Sequence, residues 1–449
     1  MSSSAAIAVP ESGTIQLVLA GVGVCVVFAW SILLVRLSKS KQNRSMVVEI
    51  DEEDEEKTDR TVYAVLTGLA TGNPQYHCPQ EEAMLASANS PGIKIPRNTL
   101  ERIYGNSRIS SRYFAVPDAT PHLSAAGDGP FYPADGSYEV PVDVRLEKFK
   151  QTAAPIMSDV ARRAIRDAGI SDISEISKLV VVSSTGFSGP GLDCALIKDL
   201  GLPRSVDRTL IGLMGCAAAI NGFRVASDYV RANPGKRALM ICIELPSVHS
   251  AFQETISDAV VHAIFGDGCA AAVLTGSTRA ESPKGSLAMV ASQSWLMEDT
   301  DEGIVLGVTP NGITCKLSKY LRRYVADNVA SFVDGFLQKN GLQREDVDMW
   351  CVHPGGRGII EEAEKGLGLT EEQHTFDSWA VLAEYGNMLS PTIMFVLCRW
   401  VRNLRCGQPQ FVLNASFDDR FSWQWRQGHY LVACDRVDIT RLTSISQNC

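Results

Sequence analysis

Short apolar runs alternate with helical patterns along most of this chain, in two successive series. Leu179–Ser183 (LVVVS) and Ala238–Ile243 (ALMICI) have the length and character of buried strands, and Ala270–Leu274 and Leu287–Ala291 read the same way. Helical patterns lie between them at Ala154–Ala168 and Ala217–Ala232. After Ala280 a second series begins: a helix near Lys319–Lys339, a strand at Met349–Val352, a helix at Gly358–Gly366 and a helix at Asn387–Val401. Strands without a polar face must be covered by helices on both sides, so the pattern implies two stacked α/β halves, at 61–285 and 286–449.

The N-terminus has a different texture. Thr14–Val35 carries no charge, and Gln16 is its one strongly polar side chain. Twenty-two residues in a helix span about 33 Å, enough for a ~30 Å hydrocarbon layer. Glu11 and no basic residue precedes the run, which argues against a secretory leader. Arg36, Lys39, Lys41 and Arg44 follow at once and favour retention on the cytosolic side. The expectation is a short non-cytosolic tail (1–13), a transmembrane helix (14–35), a basic then acidic linker (36–60) and a cytosolic body, with the endoplasmic reticulum a candidate membrane.

Charge excludes one class of partner. The net charge is −9, but Glu49 and the run Asp51–Glu56 supply seven acids, and setting them aside leaves −2. A nucleic-acid binder needs a basic face, so nucleic acid is not an expected partner. The 12 cysteines are scattered with no Cys-x-x-Cys pair, which supports neither a zinc ribbon nor a thioredoxin-type motif. Most sit among apolar residues, as small buried hydrophobes in a reducing compartment do.

Three segments could carry chemistry. In Met214-Gly-Cys216-Ala-Ala-Ala, small residues surround a cysteine at a helix start, where the helix terminus favours a thiolate. Lowering a thiol from ~8.5 to ~6 takes about 3.4 kcal/mol, and a helix terminus supplies roughly 0.3–2, so a second positive group is required. Trp350-Cys-Val-His353-Pro-Gly-Gly-Arg places a histidine at a strand end, held by a tight turn. As an imidazolium it could supply that charge, or it could donate to an oxyanion. Glu384-Tyr-Gly-Asn387-Met opens an apolar helix with an amide that can donate to an enolate oxygen. Each has a plainer alternative: Cys216 a core residue, His353 a turn cap, Asn387 an N-cap. Their joint occurrence points to a cysteine nucleophile with a histidine partner. Gly186-Phe-Ser188-Gly-Pro fails the serine nucleophile elbow at its last position, and no P-loop is present.

With Phe265-Gly-Asp-Gly268 added, these segments resemble the chalcone-synthase-like type III polyketide synthases of the thiolase superfamily, over roughly Thr61–Leu397. The resemblance implies a thiolase-like αβαβα five-layered fold of two similar halves, a homodimer, and an acyltransferase needing no metal or other cofactor. It implies that Cys216 accepts a starter acyl group from its CoA thioester. His353 and Asn387 would steady the enolate formed when malonyl-CoA loses CO2, and Phe265 would be a gatekeeper aromatic. Arg102, Arg108 and Arg112 lie in a segment resembling the family's CoA entrance. Substrate-lining positions would be Ser184, Thr185, His249, Leu306, Cys315 and Leu389, several of which depart from the plant pattern. The C-terminal Gly-Phe-Gly-Pro-Gly loop is replaced by Asn414-Ala-Ser-Phe-Asp-Asp-Arg-Phe-Ser-Trp-Gln-Trp-Arg. A membrane anchor suits a long-chain fatty acyl-CoA starter and alkylresorcinol or alkylpyrone products. The alternatives are a β-ketoacyl synthase acting on a carrier protein, and a non-catalytic membrane-tethered scaffold.

Overall fold

A computed structural model describes residues 16–21, 29–36, 61–89, 94–116, 140–249, 255–278, 281–282 and 286–405. The strands are β1 (Gln16–Gly21), β2 (Ala29–Arg36), β3 (Tyr63–Gly72), β4 (Tyr76–Pro79), β5 (Ser111–Phe114), β6 (Ile176–Ser183), β7 (Asp207–Gly212), β8 (Arg237–Glu244), β9 (Gly268–Ser277), β10 (Leu287–Trp295), β11 (Ile304–Thr309), β12 (Gly312–Leu317) and β13 (Met349–Trp350). The helices that position the site are α1 (Val142–Asp167), α2 (Ala218–Ala232), α3 (Ile256–Ile264), α4 (Leu321–Lys339), α5 (Arg357–Leu367) and α6 (Thr392–Arg405).

Nine strands form one sheet in the order β13-β1-β2-β10-β3-β9-β8-β6-β7, and β11 and β12 form a separate hairpin. The period of two sorts the strands' side chains between two cores. Ala238, Met240 and Cys242 of β8 join the core around α2 and α6, whereas Leu239, Ile241 and Ile243 join the core under α1. The α2/α6 layer is covered from both sides, by Val180, Met240 and Ala272 of the first series and by Leu287, Met289, Met349 and Cys351 of the second. Helices α4 and α5 close the far side over Trp350 and Val352. The β8–β9 part and the β10–β13 part of the one sheet thus act as two β layers around α2 and α6, which gives the α-β-α-β-α succession of the expected thiolase-like fold. Gly222 lets α2 approach the sheet, because a Cβ there would lie 2.5 Å from the Met240 Cε atom.

Of the N-terminal run, Gln16–Gly21 and Ala29–Arg36 are described, both as strands: β1 pairs antiparallel with β2 and parallel with β13, and β2 pairs with β10. No helix among the described residues is long and apolar enough to cross a membrane. An uncharged Val/Leu/Ile-rich run suits a buried strand pair as well as a bilayer span, and periodicity does not separate the two. The expected tail (1–13), most of the 36–60 linker and the segment Asn414–Arg426 lie outside the described residues.

Candidate active site

Cys216 stands at the start of a short helical turn leading into α2. Leu213 and Gly215 both have positive φ, 57° and 55°, so the chain turns sharply out of β7 before the cysteine. The Gly215 N–H donates to Ser184 Oγ at 2.9 Å. Cys216 is 8% exposed.

Asn387 enters from the second series. Gly386 (φ 68°) makes the turn, the Asn387 N–H donates to the Ile264 carbonyl at 2.8 Å, and the Gly266 N–H donates back to the Asn387 carbonyl at 3.0 Å. This bridge sets Asn387 beside Phe265. The amide orientation follows from its neighbours. Leu389 N–H donates to Asn387 Oδ1 at 2.8 Å, and Nδ2 donates to the Gly355 carbonyl at 3.1 Å. The second Nδ2 hydrogen is then the one aimed at Cys216 Sγ, 3.7 Å away.

His353 follows β13 in the turn before α5 and is 1% exposed. Among the described residues neither ring nitrogen has a hydrogen-bond partner. Burial alone pushes its pKa down to about 3, so the resting imidazole is neutral. Of the two roles weighed from sequence, burial favours donation to an oxyanion over a standing imidazolium. A buried imidazole with two open nitrogens is costly unless a ligand satisfies it.

Cys216, His353 and Asn387 line one cavity of about 650 Å³. Its wall is largely apolar, with Ile264, Phe265, Leu306, Cys315, Leu317 and Leu389. A nucleophile, a neutral base and a fixed amide donor in an apolar cavity can load an acyl group and stabilise a developing oxyanion. Among the described residues no cluster of His, Cys, Asp or Glu could hold a metal ion.

The profile of chalcone and stilbene synthases, N-terminal domain, matches residues 52–278, and that of the C-terminal domain matches 288–409. The chain belongs to the chalcone and stilbene synthase family. It is a type III polyketide synthase, and hence an acyltransferase. The alpha-pyrone synthesis polyketide synthase-like Pks18 of Mycobacterium tuberculosis is 42% identical over 75% of this chain and 83% of that protein. The 3,5-dihydroxyphenylacetyl-CoA synthase of Amycolatopsis orientalis is 29% identical over 66% and 76%. The crystal structure of PKS-I from the brown alga Ectocarpus siliculosus superposes with a TM-score of 0.74 at 66% identity, covering 78% of this chain and 92% of that one.

Within this polyketide synthase the other expected residues separate into two groups. Phe265, Leu306, Cys315, Leu389 and Arg102 line the cavity. Ser184, Thr185 and His249 do not. Ser184 N–H and Thr185 Oγ1 donate to the buried Glu244 carboxylate, at 3.0 and 2.7 Å, and His249 is held between two backbone groups. Arg108 is paired with Glu371 at 2.8 Å and lies 3.7 Å over the Trp379 ring. Arg112 is buried, donating to Gln80 at 2.9 Å and to the Phe265 carbonyl at 2.7 Å. Both arginines thus have partners within the protein, Arg108 at the surface and Arg112 in the interior. Sequence reasoning missed Lys319, Arg322 and Arg357, which line the cavity with Arg102. Arg357 was visible as the last residue of the His353 motif. Glu244, also missed, ends an apolar run at a strand's terminus, the one signal it offered.

Proposed function

We propose that this polyketide synthase extends a long-chain fatty acyl-CoA starter with malonyl-CoA units on Cys216 and releases alkylresorcinols or alkylpyrones. The observation that carries the reading is the single apolar cavity shared by Cys216, His353 and Asn387. Neutral His353 takes the Cys216 proton. The thiolate attacks the starter carbonyl, the C–S bond to CoA breaks, and CoA leaves as a thiol after protonation. Malonyl-CoA then loses CO2, and the electron pair of the broken C–C bond moves onto its thioester oxygen. Asn387 Nδ2–H and a His353 N–H stabilise that enolate. Its carbon attacks the acyl-cysteine carbonyl, a C–C bond forms, and the cysteine thiolate is expelled for the next cycle.

An apolar wall supports an aliphatic starter, and Arg102 and Lys319, without carboxylate partners among the described residues, suit CoA phosphates. In fact Arg102 neighbours the exposed pair Arg97–Glu101 on the same helix and stays outside it. Purified protein given malonyl-CoA and acyl-CoAs of graded length tests the reading. Long-chain products identified by mass spectrometry support it, and a preference for short or aromatic starters overturns it. Use of malonyl groups only from a carrier protein would return the β-ketoacyl synthase alternative. A Cys216→Ala variant that changes no product would return the scaffold.

A homodimer is part of the same proposal. Strand β7 ends the sheet with an open edge; Leu210 on it, Leu213 just after it and Phe187 in the loop after β6 are 56%, 67% and 58% exposed. An apolar open edge invites a second copy. Light scattering at the monomer mass would remove it. The membrane anchor rests on sequence: an uncharged run followed by four basic residues. The same residues supply β1 and β2, so one segment cannot serve both uses. Full-length protein that stays with membranes after carbonate extraction supports the anchor, and release into the supernatant supports the strands.

A further inference from the structure

Arg102, Lys319, Arg322 and Arg357 line the cavity, and the last two are already paired. Arg322, at the start of α4, holds Glu361 at 3.0 Å and Glu362 at 2.9 Å, both through Nη2. Arg357, which opens α5, holds the other Glu361 oxygen at 2.7 Å through Nε. Glu361 thus bridges two guanidiniums, with one oxygen to each. Neither glutamate lines the cavity. The bridge has a built seat. A Cβ at Gly358 would lie 2.6 Å from Arg322 Cδ and 2.7 Å from its Nε, so the Arg322 stem crosses the first turn of α5 only over a glycine.

Two guanidiniums against two carboxylates make this cluster neutral. The pairs are also partly open to solvent: the side chains of Arg322, Arg357 and Glu361 are 57%, 45% and 29% exposed. Ion pairs of this kind are weak and are screened by salt. A phosphate offers more charge and more acceptor oxygens than a carboxylate, so it can take either guanidinium from Glu361. Extension is repetitive, and each round frees one CoA that must depart before the next malonyl-CoA enters. Arginines with no counter-ion of their own would hold the spent CoA. Arginines with one can let it go.

We infer that Glu361 is a positioning residue for CoA exchange: it holds Arg322 and Arg357 in the empty enzyme, yields them to the phosphates of an arriving CoA thioester, and takes them back as spent CoA departs. It acts through the two arginines and does not itself line the cavity. The inference rests on the proposed reading only in taking CoA thioesters as the substrates.

The test uses the full chain with Glu361→Gln, which keeps the shape and one acceptor but carries no charge. Asp334→Asn is the control, because it takes the same charge from a pair, Arg344–Asp334, that does not line the cavity. The probe is CoA itself. At about 20 mM salt its Kd is expected to fall about five-fold in the Gln variant. Most of that change should be a slower dissociation rate, read by chasing labelled CoA with unlabelled CoA. At about 0.5 M salt the gap should close to within about two-fold, since screening then acts over a few ångströms. The KM for malonyl-N-acetylcysteamine, a thioester with no phosphate, should stay within about two-fold in the Gln variant. The Kd for CoA should stay within about two-fold in Asp334→Asn. Unchanged CoA affinity and dissociation in a folded Gln variant overturn the inference. Equal tightening of the phosphate-free thioester also overturns it, because that would mean a reshaped cavity. So does equal tightening in Asp334→Asn, which would mean net charge alone. Wild-type protein that binds no CoA refutes the proposed function. Wild-type protein that binds CoA as tightly as Glu361→Gln does refutes only the counter-ion role.

Discussion

The side-chain nitrogen of Asn387 lies 3.7 Å from the sulfur of Cys216, and the amide cannot turn away without breaking its bonds to Gly355 and Leu389. A donor fixed before the reaction stabilises developing negative charge at no reorganisation cost. Asn387→Asp keeps the size and the Leu389 bond but replaces that donor with an acceptor when ionised. CO2 release from malonyl-CoA without starter is expected to fall about 10²–10³-fold in a folded variant. A fall of less than ten-fold would show that the amide is only a turn cap.

The neutral state of His353 gives a second prediction, in the pH profile. An imidazole of ordinary pKa near 6.5 would be about nine-tenths protonated at pH 5.5 and would cost a base-dependent step about ten-fold there. With His353 held at about 3 by burial, the acid limb of kcat/KM is expected well below pH 5.5. Rates from pH 8 down to 5 settle the matter. An acid limb near 6.5 that His353→Gln removes would mean that burial does not hold His353 neutral.

How far the sequence could be read follows from these same residues. Cys216, His353 and Asn387 were legible because each sits in a local pattern of small residues and turns, and the resemblance joined three patterns that lie far apart in the chain. The neutrality of His353 was not legible, because it depends on residues from several elements closing over it. Ser184, Thr185 and His249 were expected against substrate, yet they sit behind the wall, satisfied by Glu244 and by backbone groups. Position along the chain does not say which side of a loop a side chain takes. β7 was overlooked since Asp207-Arg-Thr-Leu-Ile-Gly holds only two adjacent apolar side chains, a weaker signal than the continuous runs of β6 and β8. The run at 14–35 is ambiguous for the opposite reason: its hydrophobicity is strong, but hydrophobicity alone does not distinguish strands in a sheet from a helix in lipid.

Arg102 and Arg108 lie six residues apart and should behave differently. Arg102 is exposed at the cavity, whereas Arg108 is tied to Glu371 and stacked on Trp379. Losing one solvent-exposed phosphate contact is worth about 1 kcal/mol, so Arg102→Ala is expected to raise KM for malonyl-CoA about five-fold with kcat unchanged. Arg108→Ala is expected to leave KM alone and lower Tm by a few degrees. The reverse outcome would place the CoA phosphates against Arg108.

Glu244 gives stability an unusual dependence on pH. It is wholly buried, accepting from Ser184 N–H, Thr185 Oγ1 and Ser390 Oγ, and burial outweighs these donors to raise its pKa from 4.5 to about 7. Asp267, buried under donors from Ala115 and Ser247, is also raised to about 7. A raised folded-state pKa means that the folded protein holds more protons than the unfolded chain between these values. The stabilisation is then complete below about 4.5 and is lost as pH rises through 7. His249 and His353, lowered to about 4 and about 3, act in the opposite sense and cost stability as pH falls below 6.5. Between pH 5 and 8 the Glu244 contribution alone should remove about 2–3 kcal/mol. Glu244→Gln keeps the shape, accepts through one oxygen and has no proton to lose. Denaturant unfolding at pH 5 and pH 8 should therefore show the variant losing less stability over that interval than the parent, by about that amount, with the Asp267 share remaining in both. An equal loss in the two proteins would mean that Glu244 is ionised in the fold at both pH values, with its three donors outweighing burial.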